Sequence, residues 1–256
     1  MFFLILGLLF LCIIGLTRAL NRYKQVFRQE NLWGRWPIRK VSLQEISSCF
    51  IPEELGPQKS TEITFIGNYG SRGSTSDLET WVLCTLAKGA RFIFEFGTFT
   101  GKTTYLLAKN APEHAKVFTL TLPPEGRGEY LTQEQDHKKD TQAALDESIF
   151  TQFYYANTVV CQKITQLFAD SKQFDETPYI EQMDLIFIDG SHAQSYVESD
   201  TQKALRMLRP GGIVIWHDYR GPKRARGVFR TLNALNNTLP LMHIENTSLV
   251  AYKKMQ

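Results

Sequence analysis

An open α/β fold with a mostly parallel sheet and helices on both faces is predicted by three features of the sequence. Short apolar runs alternate with helical patterns from Arg91 onward. The runs "ITQLFAD", "MDLIFIDG" and "GGIVIWHD" each end in polar or acidic residues. A glycine turn, "EFGTFTG", joins the first run to the helix after it. Strands alternating with helices give parallel pairing through right-handed crossovers, and ligands then bind at the carboxyl ends of the strands.

The elements follow in order. "SLQE", Ser42 to Glu45, reads as a capping box opening a short helix, with Leu43, Ile46 and Leu55 as its apolar residues. Gly67 to Ser76 is loop-like from its glycines and serines. A second capping box, Ser76 and Glu79, starts a helix that is expected to stop at Gly89. "RFIFEF" is a buried strand, "KTTYLLAKN" a helix and "KVFTLTL" a second strand. The polar stretch Gly128 to Phe150 reads as a solvated helix or an ordered lid. Ile164–Asp170, Met183–Gly190 and Gly211–Asp218 supply three more strands, with the amphipathic helix "SYVESDTQKALRML" before the last. The C-terminal "PLMHIENTSLVAYKK" is expected to add two edge strands.

The chain has 256 residues, 43% of them hydrophobic, enough for one sizeable core. A net charge of +3 gives no strong global field, so nucleic acid is not an expected partner. The cysteines, Cys12, Cys49, Cys84 and Cys161, form no C-x-x-C pair, which fits a reducing compartment.

The first sixteen residues, "MFFLILGLLFLCIIGL", carry no charge and span roughly 24 Å as a helix. Arg18, Arg22, Lys24 and Arg28 follow. No basic residue precedes the run and no A-x-A pattern closes it, so a secretory signal reads poorly. The expected organisation is a single-pass membrane anchor at residues 1–17, a juxtamembrane and cap segment at 18–75, and a catalytic domain at 76–256. The basic flank places that domain on the cytoplasmic side. A buried or interfacial helix is the alternative for residues 1–17.

The glycine turn decides the function class. A phosphate-gripping loop needs four residues between its first glycine and the Gly-Lys pair. Gly97 and Gly101 have three between them, so a P-loop reading through Lys102 is weak. The other reading is E-x-G-x-x-x-G. Gly97 turns the chain out of the strand, Gly101 lets the helix start close to a ligand, and Glu95 places a carboxylate at the strand's end.

With "ADS", "IDGSH" and "LRPGGIVIWHDY" in the same order, residues 76 to the C-terminus resemble the class I S-adenosylmethionine-dependent methyltransferases. Within them, the chain looks most like the small-molecule O-methyltransferases that include the macrocin-type sugar enzymes. The resemblance implies a Rossmann-like fold and S-adenosylmethionine as cofactor. It implies that Glu95, Gly97, Thr98, Phe99 and Gly101 hold the cofactor's methionine part and approach its ribose. Asp170 and Ser171 would lie beside the adenine, and Asp189 and Gly190 between cofactor and acceptor. Thr121 stands where that family has an acidic ribose-binding residue, which leaves a catalytically silent binding or scaffold protein at the membrane as the alternative function.

Methyl transfer to a hydroxyl requires an aligned acceptor and a place for its proton. His192 is the expected general base, beside a catalytic Asp189. Asp189, His217 and Asp218 match the metal positions of the macrocin-type enzymes, where carboxylates predominate. A divalent metal such as magnesium or manganese is expected there, with a histidine nitrogen shifting preference toward manganese, zinc or iron. A hydrogen-bonded pair fixing the next loop is the alternative for His217 and Asp218. Arg220, Lys223, Arg224, Arg226 and Arg230 suit an anionic or sugar-linked small acceptor, or simply a solvated helix face. Trp216 and Phe99 read as core.

Overall fold

The computed structural model describes residues 7, 10, 12–22, 36–70 and 75–255. The chain divides into two compact units, Met1–Pro37 and Ile38–Gln256. In the first, residues 12–22 are helical. Much of the expected anchor, residues 1–17, lies outside the described residues. Among the described residues, no helix is long and apolar enough to cross a membrane.

The second unit is built on an eight-stranded sheet. Its strands are β1 (Arg39–Val41), β2 (Phe92–Phe96), β3 (Lys116–Thr121), β4 (Ile164–Phe168), β5 (Met183–Ile188), β6 (Leu208–Trp216), β7 (Met242–Ile244) and β8 (Val250–Lys253). They lie in the order β1-β7-β8-β6-β5-β2-β3-β4. Pairing is parallel except where β8 runs against β6 and β7. The helices are α1 (Leu43–Ile46), α2 (Asp77–Ala87), α3 (Lys102–Asn110), α4 (Lys138–Glu147), α5 (Gln194–Met207) and α6 (Arg226–Leu235).

The expected strands and helices of the α/β core form. Two expectations about the edges need correction. The C-terminal strands are interior, and the edge belongs to β1, which pairs with β7 in parallel. Three residues carry too little alternation to announce a strand. Helix α2 stops at Ala87 with Lys88 at its cap, and Gly89 takes no left-handed conformation. The unit begins at Ile38, so it includes residues 38–70, read from sequence as a cap. Val41, Ile46 and Phe50 join the main core.

Alternation along the strands sorts their side chains onto two faces. Ile93, Val117, Leu185, Phe187 and Ile215 pack with Val82 and Leu83 of α2 and Leu107 of α3. On the opposite face Trp216, buried as expected, donates its indole N–H to Thr201 of α5 at 2.9 Å. Phe94 meets Phe174 and Tyr179 there. With both faces covered, the central strands read as nearly continuous apolar runs.

From β2 the chain winds outward through β3 to β4, then returns to place β5 on the other side of β2. The reversal leaves a crevice at the carboxyl ends of β2 and β5. Gly97 sits there with φ +97°, and a Cβ on it would lie 2.2 Å from the Asp189 carbonyl oxygen. The Asp189 N–H donates to the Phe96 carbonyl at 2.8 Å, and the Gly97 N–H to the Leu120 carbonyl at 2.9 Å. Only a glycine lets these three strand ends meet.

Glu95 shares the Ile93 face, so its carboxylate points beneath the sheet toward α3. Its Oε2 accepts from the Thr104 and Thr119 hydroxyls, the latter at 2.7 Å. The residue is 1% exposed, and burial pushes its carboxyl up to about 8, against partial relief from the two threonines.

Two outcomes test this packing. Gly97→Ala adds a left-handed strain of roughly 1–2 kcal/mol and a backbone overlap of about 1–3 kcal/mol. The expected loss, about 2–5 kcal/mol, is measured by urea denaturation. Glu95 has a folded pKa above its ordinary 4.5. Its contribution is therefore full below pH 4.5 and is lost as pH rises through about 8. Glu95→Gln has no proton to release, so denaturation midpoints should vary less across that window than in the wild type.

Candidate active site

The glycine turn is held open by its own strain. Gly97, Phe99 and Gly101 all have positive φ, at 97°, 47° and 76°. For an aromatic residue such as Phe99 this is a costly conformation, of the kind that clusters at functional sites. The Phe150 ring meets Phe99 edge-on at 5.0 Å and helps to hold it. Among the described residues the Thr98 and Phe99 amides donate to no acceptor, so the turn presents free N–H groups. At Gly101 a Cβ would lie 2.9 Å from atoms of Phe153 and Tyr155, so aromatic packing requires glycine there.

Beside the turn lies a cleft with about 570 Å³ of free space, counting the part open to solvent. That is the size of a small-molecule or cofactor site. It is lined by Gly97 and Phe99 after β2, Thr121 and Leu122 at the end of β3, Asp170 and Ser171 after β4, and Asp189 and Gly190 after β5. Phe99, read from sequence as core, thus faces the cleft. Glu95 and Thr98 do not line it. The Thr98 hydroxyl is turned inward, 2.8 Å from the Thr119 hydroxyl, so Glu95 and the Thr98 side chain brace the turn from below.

After β4, the two Asp170 oxygens accept from the Lys172 N–H at 2.8 Å and the Tyr196 hydroxyl at 2.7 Å. Asp200 of α5 also lines the cleft, and burial pushes its carboxyl up to about 7, with Ser171 opposing. Tyr130, Ala144, Glu147 and Ser148 cover the cleft. They belong to the stretch 128–150, which is the ordered cover that the sequence left as one of two readings. Tyr130 stacks on Tyr196 with ring centroids 4.2 Å apart, and its hydroxyl lies 2.5 Å from the Ser191 hydroxyl. Asp136 accepts from the Ser195 N–H at 2.8 Å and its hydroxyl at 2.6 Å.

The acidic and histidine cluster adjoins the cleft through Asp189. His217 is 4% exposed, and carboxylates engage both of its ring nitrogens. Nδ1 lies 2.9 Å from Asp189 Oδ1, and Nε2 lies 3.3 Å from Glu79 Oε2. Burial alone would strip its proton, but Asp189, Asp218 and Glu79 outweigh burial and hold its pKa well above 6.5. Both ring nitrogens of His217 are thus engaged by carboxylates, and it orients Asp189. Beside it, Asp189, His192 and Asp218 bring their ligand atoms within 4.8 Å of one another. One nitrogen and two carboxylates suit a divalent cation, with manganese or zinc better matched than magnesium.

His192 Nε2 lies 2.7 Å from Asp218 Oδ2. Burial works against its proton, but Asp218, then Asp189 and Glu147, raise its pKa above 6.5. The contact with Asp218 places His192 in the cluster beside Asp189, where a general base was expected. Asp218 is pulled well below the usual carboxylate range by His192 and His217 despite its burial. It also receives Arg220 Nε at 2.9 Å. Of the basic run, Arg220 thus serves the cluster, and Lys223 and Arg224 face solvent.

Glu79 was legible only as a capping residue, and it does cap α2, accepting the Ser76 N–H at 2.8 Å. The same carboxylate holds His217 and accepts from the Ser248 N–H and hydroxyl at 2.6 Å each. Glu147, Tyr130 and Tyr196 were not foreseen. Their sequence signal is that of ordinary polar or amphipathic helix and loop.

Comparisons with known proteins agree with this geometry. Residues 94–219 match the family model described as a methyltransferase domain. No curated protein matches the sequence. A methyltransferase of Podospora anserina, PaMTH1, solved with S-adenosylhomocysteine, shares the fold at 14% identity and TM-score 0.50, over 72% of this chain and 80% of that one. An O-methyltransferase from Bacillus cereus, also with S-adenosylhomocysteine, is 18% identical over 82% of this chain and 96% of that one, with TM-score 0.47. TomG, an O-methyltransferase from Streptomyces achromogenes, is 18% identical over 71% and 82%, with TM-score 0.46. The doubly wound sheet, the glycine turn at its switch point and the match over residues 94–219 together mark that part of the chain as a methyltransferase domain of Rossmann-like fold.

Proposed function

We propose that the chain is an O-methyltransferase acting on a small hydroxylated acceptor, a sugar or glycan precursor, with help from a divalent cation. The observation that carries this reading is Asp189. Its backbone packs on the glycine turn, its side chain lines the cofactor cleft, and its carboxylate belongs to the Asp189–His192–Asp218 cluster. A hydroxyl acceptor needs such a cluster, because its proton must be acidified and its oxygen aligned, whereas a neutral amine attacks without prior deprotonation.

The cofactor would supply a sulfonium-bound methyl group. The Thr98 and Phe99 amides face its amino-acid carboxylate, and Asp170 with Ser171 faces its base. Asp189, His192 and Asp218 would hold the cation, whose charge lowers the pKa of a bound hydroxyl. The His217 ring holds the Asp189 carboxylate fixed in direction. The cover formed by Tyr130 and α4 excludes water from the cofactor. Arg220, half-exposed next to Asp218, favours an anionic or sugar-linked acceptor.

We also propose that residues 1–17 anchor the chain in a membrane with the domain on the cytoplasmic side. The uncharged run Met1–Leu16 and the four basic residues after it support this reading.

Methyl transfer from radiolabelled S-adenosylmethionine to panels of hydroxyl and amine acceptors tests the reaction class; products methylated only on nitrogen would refute it. Asp189→Ala should abolish turnover and Mn²⁺ binding, the latter read by electron paramagnetic resonance, while S-adenosylhomocysteine affinity changes less than about threefold. Deleting residues 1–28 should move the protein from the membrane pellet to the supernatant. A truncated chain that still pellets would end the anchor proposal.

A further inference from the structure

We propose that Glu147 is a further protein ligand of the divalent cation, reaching the Asp189–His192–Asp218 cluster from the cover and holding the cover closed over it. This rests on the reading of that cluster as a cation site.

Glu147 closes α4 and lines the cleft together with Asp189, Gly190 and Ser191. Among the described residues its half-buried side chain makes no hydrogen bond and no ion pair. The charges that act on it are those of the cluster: His192 most, then Asp189 and Asp218, with its neighbour Asp146 after them. Coulomb interactions fall off with distance, so the carboxylate stands beside the ends of β5 and β6. A carboxylate left there without donors, next to two others, is costly unless a cation joins them.

A second residue of α4 faces the same loop. Asp140 and Glu147 are two helical turns apart, so they share the face of α4 that brings Ala144 to the cleft. Asp140 is 9% exposed, yet its Oδ2 has no hydrogen-bond partner. His192 is the first charge acting on it too, and the Gly227 N–H acts on it as well. Gly227 is the residue seated on the His192 carbonyl. Helix α4 therefore lies across the His192 loop. Asp140, Glu147, Asp189 and Asp218 all bear on one imidazole. Even when protonated, His192 balances one of them, and His217 shares Asp189 and Asp218 with it. The surplus is negative, which is what a divalent cation neutralises. Glu147 borders the open cleft and can meet an ion entering from it, while the buried Asp140 adds to the field. Manganese takes about six ligands, so one more carboxylate still leaves positions for an acceptor hydroxyl. The cover is tied down by the Tyr130–Tyr196 stack and Asp136 before α4, and by Phe150 after it. A bond from Glu147 to the ion adds a tie at α4 itself.

The test follows Mn²⁺ binding to the full chain by electron paramagnetic resonance, and closure of the cover by amide exchange over residues 128–150. In the wild type, Mn²⁺ should slow exchange in that stretch. Glu147→Ala should weaken Mn²⁺ binding by about tenfold or more and remove the protection. Glu147→Gln keeps the shape but gives up the charge, so it should lose about as much. Asp146→Asn removes an exposed carboxylate next to it and should change Mn²⁺ affinity by less than about twofold. Wild-type Mn²⁺ affinity in Glu147→Gln, with Asp189→Ala still abolishing binding, would overturn this inference and leave the cation site standing. An equal loss in Asp146→Asn would overturn it too, by making the effect one of overall charge. If the wild-type chain binds no Mn²⁺, the cation reading fails first and takes this inference with it.

Discussion

The contact between Gly97 and the Asp189–Gly190 backbone is the constraint on which the site depends. It forces the turn after β2 and the loop after β5 into van der Waals contact at the switch point of the sheet. Parallel strands whose ends diverged by a few ångströms would leave a wide, wet crevice. With these ends touching, one loop serves two purposes. It helps to wall the cleft, and its Asp189 carboxylate belongs to the acidic and histidine cluster. A similar economy recurs at Gly227, where a Cβ would lie 2.1 Å from the His192 carbonyl oxygen, so α6 is seated directly on the loop that carries His192.

Electrostatics then order the cluster. Two histidines lie among Glu79, Asp189 and Asp218, with His217 and Glu79 almost entirely out of water. Bringing these charges inside is expensive, and their mutual attraction recovers the cost only where geometry is good and remaining lone pairs are satisfied. Glu79 meets that condition by spending its oxygens on the α2 cap, on Ser248 and on His217. The result is a fixed direction for Asp189 and a histidine, His217, that serves as a cationic strut. His192, 2.7 Å from Asp218, joins Asp189 and Asp218 in a compact group of one nitrogen and two carboxylates.

The cover over the cleft adds a third layer. It is tied to α5 by Tyr130 and Asp136 and to the glycine turn by Phe150. Lys172 bridges the two sides, donating to the Leu131 carbonyl and the Ser195 hydroxyl at 2.5 and 2.6 Å while its ammonium lies over the Tyr196 ring. These are polar and aromatic contacts rather than core packing, the kind that open at lower free energy than the sheet beneath them.

The sequence by itself determined the alternation of strands and helices, the glycine turn, and the strand ends that carry Asp170, Asp189, His217 and Asp218. All of these rest on local signals: apolar period, capping residues, and glycines at fixed spacing. Tertiary structure alone decided which of these groups meet. Glu79 reaches His217 across 138 residues and Ser248 across 169. Glu95 turned under the sheet because strand alternation, not its place in the motif, sets the direction of a side chain. Gly101 is required by Phe153 and Tyr155, more than fifty residues further along the chain. Glu147 sits in a polar helix whose pattern resembles any solvated one. Local periodicity shows which face of an element is apolar; what that face meets depends on how distant segments pack, and no short stretch of chain encodes that.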